Sequence, residues 1–131
     1  MGVCSIQAMD SEQWQRWIAQ AHDDFAYGEA GVEDFPRGAA WNFHQAAEKS
    51  IKALLLHKGV EFPRTHDLVR LLVFIPEDLD LDENVREAAF LLSSYLPVTR
   101  YPGDLPEINS GRARQAMEAS RLILSWVAKY V

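Results

Sequence analysis

The sequence predicts an all-α fold, an up-and-down bundle of four main helices with one short extra helix, in a single domain over residues 1–131. Three observations carry this. Apolar residues recur every three or four positions along four long stretches. Turns bearing Gly or Pro separate those stretches. No run alternates apolar and polar residues convincingly, so no strand is expected.

Each element follows from its residues. The first helix is expected over about Ser11 to Ala30, with Trp14, Trp17, Ile18, Ala21 and Phe25 on one face. Asp10 or Ser11 can cap it, and the Gly28–Gly31 region can end it. Residues 1–9 read as a loosely ordered tail. Asp34 can cap the second helix, and Pro36 suits its first turn, where a missing N–H costs nothing. Ala39, Phe43, Ala46, Ala47, Ser50, Ile51, Leu54 and Leu55 form its stripe, and Gly59 is its stop. The small residues in that stripe let another helix approach closely. Trp41 and Leu55 flank it, more apolar surface than one thin bundle covers, which points to a homodimer.

Pro63 biases Phe62 away from helix, so Val60 to Arg64 is expected to be extended. Thr65 or Asp67 caps a short helix through Leu68, Leu71, Leu72 and Ile75, stopped by Pro76. Asp80 to Glu83 opens the next, with Val85, Ala88, Ala89, Leu92, Tyr95 and Leu96 as its stripe and Pro97 as its end. Thr99 to Pro106 reads as an irregular loop. Asn109 or Ser110 caps the last helix, whose buried side is expected to be Ala113, Met117, Ser120, Leu124, Val127 and Val131.

Composition narrows the function classes. At 131 residues, 48% apolar and 24% charged, the chain fits one globular domain and not a disordered tail. Its single cysteine, Cys4, excludes an intramolecular disulfide framework and fits a reducing cytoplasm. No apolar run is long enough to span a membrane. Met1 to Met9 carries no basic residue, so no secretory signal is expected. The net charge of −6 argues against a general binder of phosphate backbones. The charge is uneven, however. Residues 10–34 carry net −6 and residues 76–94 net −5, while 48–75 and 95–131 are each net +2. If the two basic stretches meet, they form a positive patch suited to an anion. The plainer reading is a set of solvated helix faces.

The histidines are His22, His44, His57 and His66, without the spacing of a metal site and with no second cysteine. No metal or cofactor is expected. Phosphate-cradling glycine loops and the nucleophile-elbow pattern are missing. Two segments stand out. At 100° per residue, Trp41, His44, Glu48, Lys52 and Leu55 fall in one arc of the second helix, with Gln45 and Lys49 beside it. Such an arc could hold a base and a phosphate, or be a polar face with one stacked Trp. Arg64-Thr65-His66-Asp67 could add to an anion site, or simply cap the short helix while His66 bonds backbone.

The run Phe43-His44-Gln45-Ala46-Ala47-Glu48-Lys49-Ser50-Ile51-Lys52-Ala53-Leu54-Leu55 resembles the signature of the HEPN domain (higher eukaryotes and prokaryotes nucleotide-binding). Gly59 to Leu68 is similar to that family's next block, and Thr99-Arg100-Tyr101-Pro102 resembles its later loop. The resemblance covers roughly residues 10–131. It implies a homodimeric helical bundle that binds nucleotides. In its stand-alone prokaryotic form it is often paired with a minimal nucleotidyltransferase in a toxin–antitoxin-like system. Many relatives are metal-independent RNases with an R-x4–6-H motif near the C-terminal helices. Past Asp67 this chain has no histidine, so that motif is missing from its usual place. The expected anion-binding set is Trp41, His44, Lys49, Lys52, Arg64, His66, Arg100 and Tyr101. The alternatives are an RNase with His44 as base and Arg37 or Arg100 as phosphate clamp, and a purely structural adaptor without ligand. Little RNase activity is expected.

Overall fold

Helix α2 (Pro36–His57) is the axis of the molecule. It packs against α1 (Gln13–Gly31), α3 (Leu68–Leu72), α4 (Glu83–Ser93) and α5 (Ser110–Ala128). The computed structural model describes residues 3–4, 12–95 and 107–131. Within these residues the architecture is the expected one, four main helices and one short one. Ala39, Phe43, Ala46, Ala47, Ser50, Ile51, Leu54 and Leu55 are all buried, so the stripe is the core face.

Small residues set the spacing of the bundle. A Cβ placed on Gly28 of α1 would lie 2.6 Å from the Phe43 ring, so only glycine permits this approach of α1 to α2. On the other side, Ser120 of α5 donates its hydroxyl to the Phe43 carbonyl at 2.8 Å. That bond satisfies a buried polar group and fixes α5 against the middle of α2. The indole N–H of Trp126 donates to the Asp80 carbonyl at 2.8 Å, and the Asp80 amide donates to the Tyr130 hydroxyl at 3.2 Å. These bonds tie the segment before α4 to the end of α5.

Several expectations are corrected. Asp34 does not cap α2; Phe35 occupies the N-cap position with no side-chain cap bond, and Pro36 begins the helix. The Phe35 amide instead donates to the Gly31 carbonyl at 2.7 Å, so the turn is closed by backbone. Helix α4 does open within the expected Asp80–Glu83 stretch, at Glu83, capped by Asp82, whose carboxylate accepts from the Val85 amide at 3.0 Å. The buried side of α5 is Ala113, Ala116, Ala119, Ser120, Ile123, Leu124, Trp126 and Val127. Its alanines form the close-approach surface, while Val131 lies past the last turn and is exposed. Leu55 is wholly buried within the chain, so it adds nothing to an external apolar surface. No strand was expected, yet β1 (Val3–Cys4) pairs antiparallel with β2 (Phe62–Pro63). The extended geometry imposed by Pro63 is what offers an edge there. Asp10, Ser11, Leu96, Pro97 and Thr99–Pro106 lie outside the described residues.

Candidate functional site

The second face of α2 is polar and still buried. His44, Glu48 and Lys52 recur every four residues and all three are enclosed. Their cover comes from three sides. Trp41, one turn before His44, stacks on its ring at 5.5 Å between centroids and 8° between planes. Trp17 of α1 lies beneath the Lys52 ammonium, 5.9 Å from ring centre to nitrogen. The segment between β2 and α3 brings His66 across the top.

Glu48 is the hub. Its Oε2 accepts a hydrogen bond from Lys52 Nζ at 2.8 Å. His66 Nδ1 lies 3.0 Å from Oε2 and 3.2 Å from Oε1. His44 Nδ1 stands 3.8 Å from Oε1, too far for a hydrogen bond. Glu48 is 4% exposed, whereas the His66 side chain is 70% exposed, so the carboxylate is buried and the imidazole that meets it faces water. Asp67 caps α3, its carboxylate accepting from the Val69 amide at 3.0 Å. Thr65 Oγ1 accepts from the Asp67 amide at 3.1 Å. The backbone on both sides of His66 is therefore fixed.

His44 is the anomaly of the site. It is 0% exposed, and neither ring nitrogen meets a partner with good hydrogen-bond geometry. Burial holds its pKa below the ordinary value of 6.5. The Glu48 charge, the Gln45 side chain and the His66 backbone oppose that shift more weakly. Burial therefore favours the neutral imidazole, which stacks on the Trp41 ring with the Glu48 carboxylate beside it.

The structure gathers some of the sequence-predicted residues and separates others. Trp41, His44, Lys52 and His66 come together around Glu48. Lys49 turns aside to Asp24 of α1, at 2.8 Å. Arg64 is exposed and has no carboxylate partner among the described residues. Arg37 is exposed in the first turn of α2, two turns from the enclosed His44. Arg100 and Tyr101 lie outside the described residues. His66 was expected either to join an anion site or to bond backbone; it bonds the Glu48 carboxylate. In the sequence Glu48 is one member of the α2 arc. The arc periodicity signals its neighbours at 44 and 52, and His66 is expected near the arc with the other basic residues, but nothing in the sequence singles out Glu48 as its partner. No group of three metal-ligating side chains able to hold an ion occurs among the described residues.

The family-level comparison agrees with this architecture. The profile of the HEPN domain matches residues 14–130. This chain belongs to the HEPN domain family. Among solved structures the HEPN chain is similar to TT1696 from Thermus thermophilus, at 28% identity and a TM-score of 0.82. The match covers 92% of this chain and 99% of that one. It also resembles ST0689, an archaeal HEPN homologue, at 23% identity and a TM-score of 0.74 over 88% of this chain and 95% of that one. The second likeness is one of fold. Comparison with curated proteins finds no match. No helix among the described residues is long and apolar enough to cross a membrane.

Proposed function

We propose that this HEPN protein is a cytoplasmic nucleotide-binding and partner-binding subunit that acts with a nucleotidyltransferase in a toxin–antitoxin-like system. The nucleotide part rests on the Trp41–His44 stack. Trp41 is held flat by a second ring, yet remains 38% exposed, which suits it to receive a base. Arg64, exposed two residues before His66 and without a carboxylate partner among the described residues, is the cation assigned to the phosphate. Lys49 and Lys52 are engaged by Asp24 and Glu48, so they contribute less. Binding is expected to be weak and salt-sensitive, on the order of micromolar to millimolar. Calorimetry at low salt with nucleoside triphosphates tests it. Replacing both Trp41 and Arg64 by Ala should weaken binding about tenfold, or about 1.4 kcal/mol. Absence of heat at millimolar ligand removes the nucleotide reading and leaves a structural adaptor.

The partner part rests on family membership. It is tested by co-purification with a nucleotidyltransferase encoded beside this chain; elution as separate species removes it. A homodimer is supported by exposed apolar side chains at Val73 (76%) and Phe90 (72%). Sedimentation equilibrium showing monomer alone at micromolar concentration removes the dimer.

A metal-independent RNase built on His44 and Arg37 is the competing reading. The neutral His44 imidazole favours it, since a general base must be unprotonated. Its complete enclosure opposes it, because no substrate hydroxyl reaches it without opening the site. Robust RNA cleavage lost in both His44→Ala and Arg37→Ala would replace the binding reading.

A further inference from the structure

Glu48 and His66 do more than close the polar face. We infer that they form a carboxylate–imidazole pair that presents His66 Nε2 to a ligand as a hydrogen-bond acceptor, and that the ligand group it takes is a ribose hydroxyl.

The tautomer follows from the donors and acceptors around the ring. Glu48 accepts from an ammonium at 2.8 Å, so its oxygens act as acceptors there. His66 Nδ1 meets both oxygens of that carboxylate, at 3.0 and 3.2 Å, and can be held there only as a donor. In the neutral tautomer that donates from Nδ1, the lone pair sits on Nε2. The ring is 70% exposed while the carboxylate is buried, so the nitrogen away from Glu48 is the one offered outward. Nε2 has no partner among the described residues. Asp67 and Thr65 fix the backbone around His66, so the pair does not depend on a wandering surface side chain. Lys52 anchors Glu48 in turn. Each shell thus orients the one outside it.

This assigns His66 a role opposite to a phosphate clamp. A bare ring nitrogen repels the lone pairs of a phosphate oxygen and seeks an O–H or N–H. The assignment rests on the nucleotide reading above. Arg64 is two residues before His66 in the chain, so a nucleotide with its base on Trp41 and its phosphate at Arg64 would carry its sugar hydroxyls past His66. The contacts run continuously from Trp41 to His44, Glu48 and His66, which keeps the stacking ring and the acceptor in one site.

Two measurements test this independently. Long-range proton–nitrogen correlation NMR of the wild-type protein reads each histidine tautomer directly, without ligand. His66 should carry its proton on Nδ1, whereas the exposed His22 and His57 serve as internal references. A His66 proton on Nε2, alone or together with one on Nδ1, overturns the acceptor role, whatever the protein binds. Calorimetry then compares ATP with 2′,3′-dideoxy-ATP. The dideoxy form should bind about threefold to tenfold more weakly, the range of one neutral hydrogen bond, and His66→Phe should abolish the difference. Equal affinity in the wild type, or a difference that survives His66→Phe, overturns the ribose assignment. Binding of neither nucleotide overturns the nucleotide reading together with the ribose assignment. The tautomer result remains separate from that failure.

Discussion

Two faces of α2 are buried by different physics. One holds Phe43, Ala47, Ile51 and Leu54, all fully enclosed and packed against α1 and α5. The other holds His44, Glu48 and Lys52, equally enclosed but polar. On the first face, burial itself is the stabilising term, and every contact is replaceable only by something of the same shape. On the second, burial is a cost that Lys52 and His66 offset for Glu48, and that Glu48, Gln45 and the His66 backbone offset only weakly for His44. A helix uses its polar face in this way when that face serves something besides stability. The His44–Glu48 side is therefore the candidate functional face of α2, and the two faces should respond differently to substitution.

The largest effect should come from the apolar face. Phe43→Ala removes a ring that touches Phe25 of α1, at 5.2 Å between centroids, and fills the notch left by Gly28. It should cost about 3–5 kcal/mol, measured by urea denaturation. Gly28→Ala should cost about 1–3 kcal/mol alone, because its Cβ enters the Phe43 ring. In the Phe43→Ala background the same change should be nearly neutral, since the obstructing ring is gone. Additive costs would mean that the tight α1–α2 approach does not depend on this pair.

The polar face should behave differently. Lys52→Met leaves Glu48 buried with His66 alone and should cost about 3 kcal/mol. The double change Glu48→Leu with Lys52→Met removes both charges and should recover most of that loss. An apolar face offers no such recovery by deleting a second residue. If the double variant is as unstable as the single one, the pair is stabilising and the contrast between the faces fails.

How much of this is legible in the sequence depends on distance along the chain. The helices are, because period and caps are local: Asp67 and Asn109 cap α3 and α5 as their residue types suggest. The α2 arc is also legible, since residues four apart share a face. The Glu48–His66 contact is not, because eighteen residues separate the partners and their meeting depends on how the β2–α3 segment crosses α2. The β1–β2 pairing escapes for the same reason, as two residues carry too little pattern to announce a strand. Asp34 shows the converse failure: a good capping residue left unused because backbone from Gly31 closed the turn first.

A smaller effect is expected at the segment that carries His66. Asp67→Ala removes the cap of α3 and should cost about 1 kcal/mol. It should also loosen the segment that holds His66 on Glu48. Hydrogen exchange at Val69 and Arg70, whose amides donate to the Asp67 carboxylate, should quicken more than exchange in α5. Uniform quickening would mean the cap serves global stability and not the local placement of His66.

The smallest effect at neutral pH, and the most discriminating, is at His44. His44→Phe keeps a flat ring beneath Trp41 and removes two buried nitrogens that lack good hydrogen-bond geometry. The gain from removing poorly paired polar atoms opposes the crowding of a slightly larger ring, so stability at pH 7 should change by no more than about 1 kcal/mol. The pH dependence should change more clearly. Burial lowers the His44 pKa in the folded chain, so below 6.5 the unfolded chain binds a proton that the folded chain resists. Stability from this group is complete above 6.5 and declines as the pH falls, by at most about 1.4 kcal/mol per pH unit for a single proton. Wild type should therefore lose more stability than His44→Phe between neutral pH and about one unit below the ordinary histidine value. Denaturation midpoints of both proteins across that window measure it. Parallel curves would show that His44 already shares a proton in the folded state, and the polar face of α2 would then be as well satisfied as the apolar one.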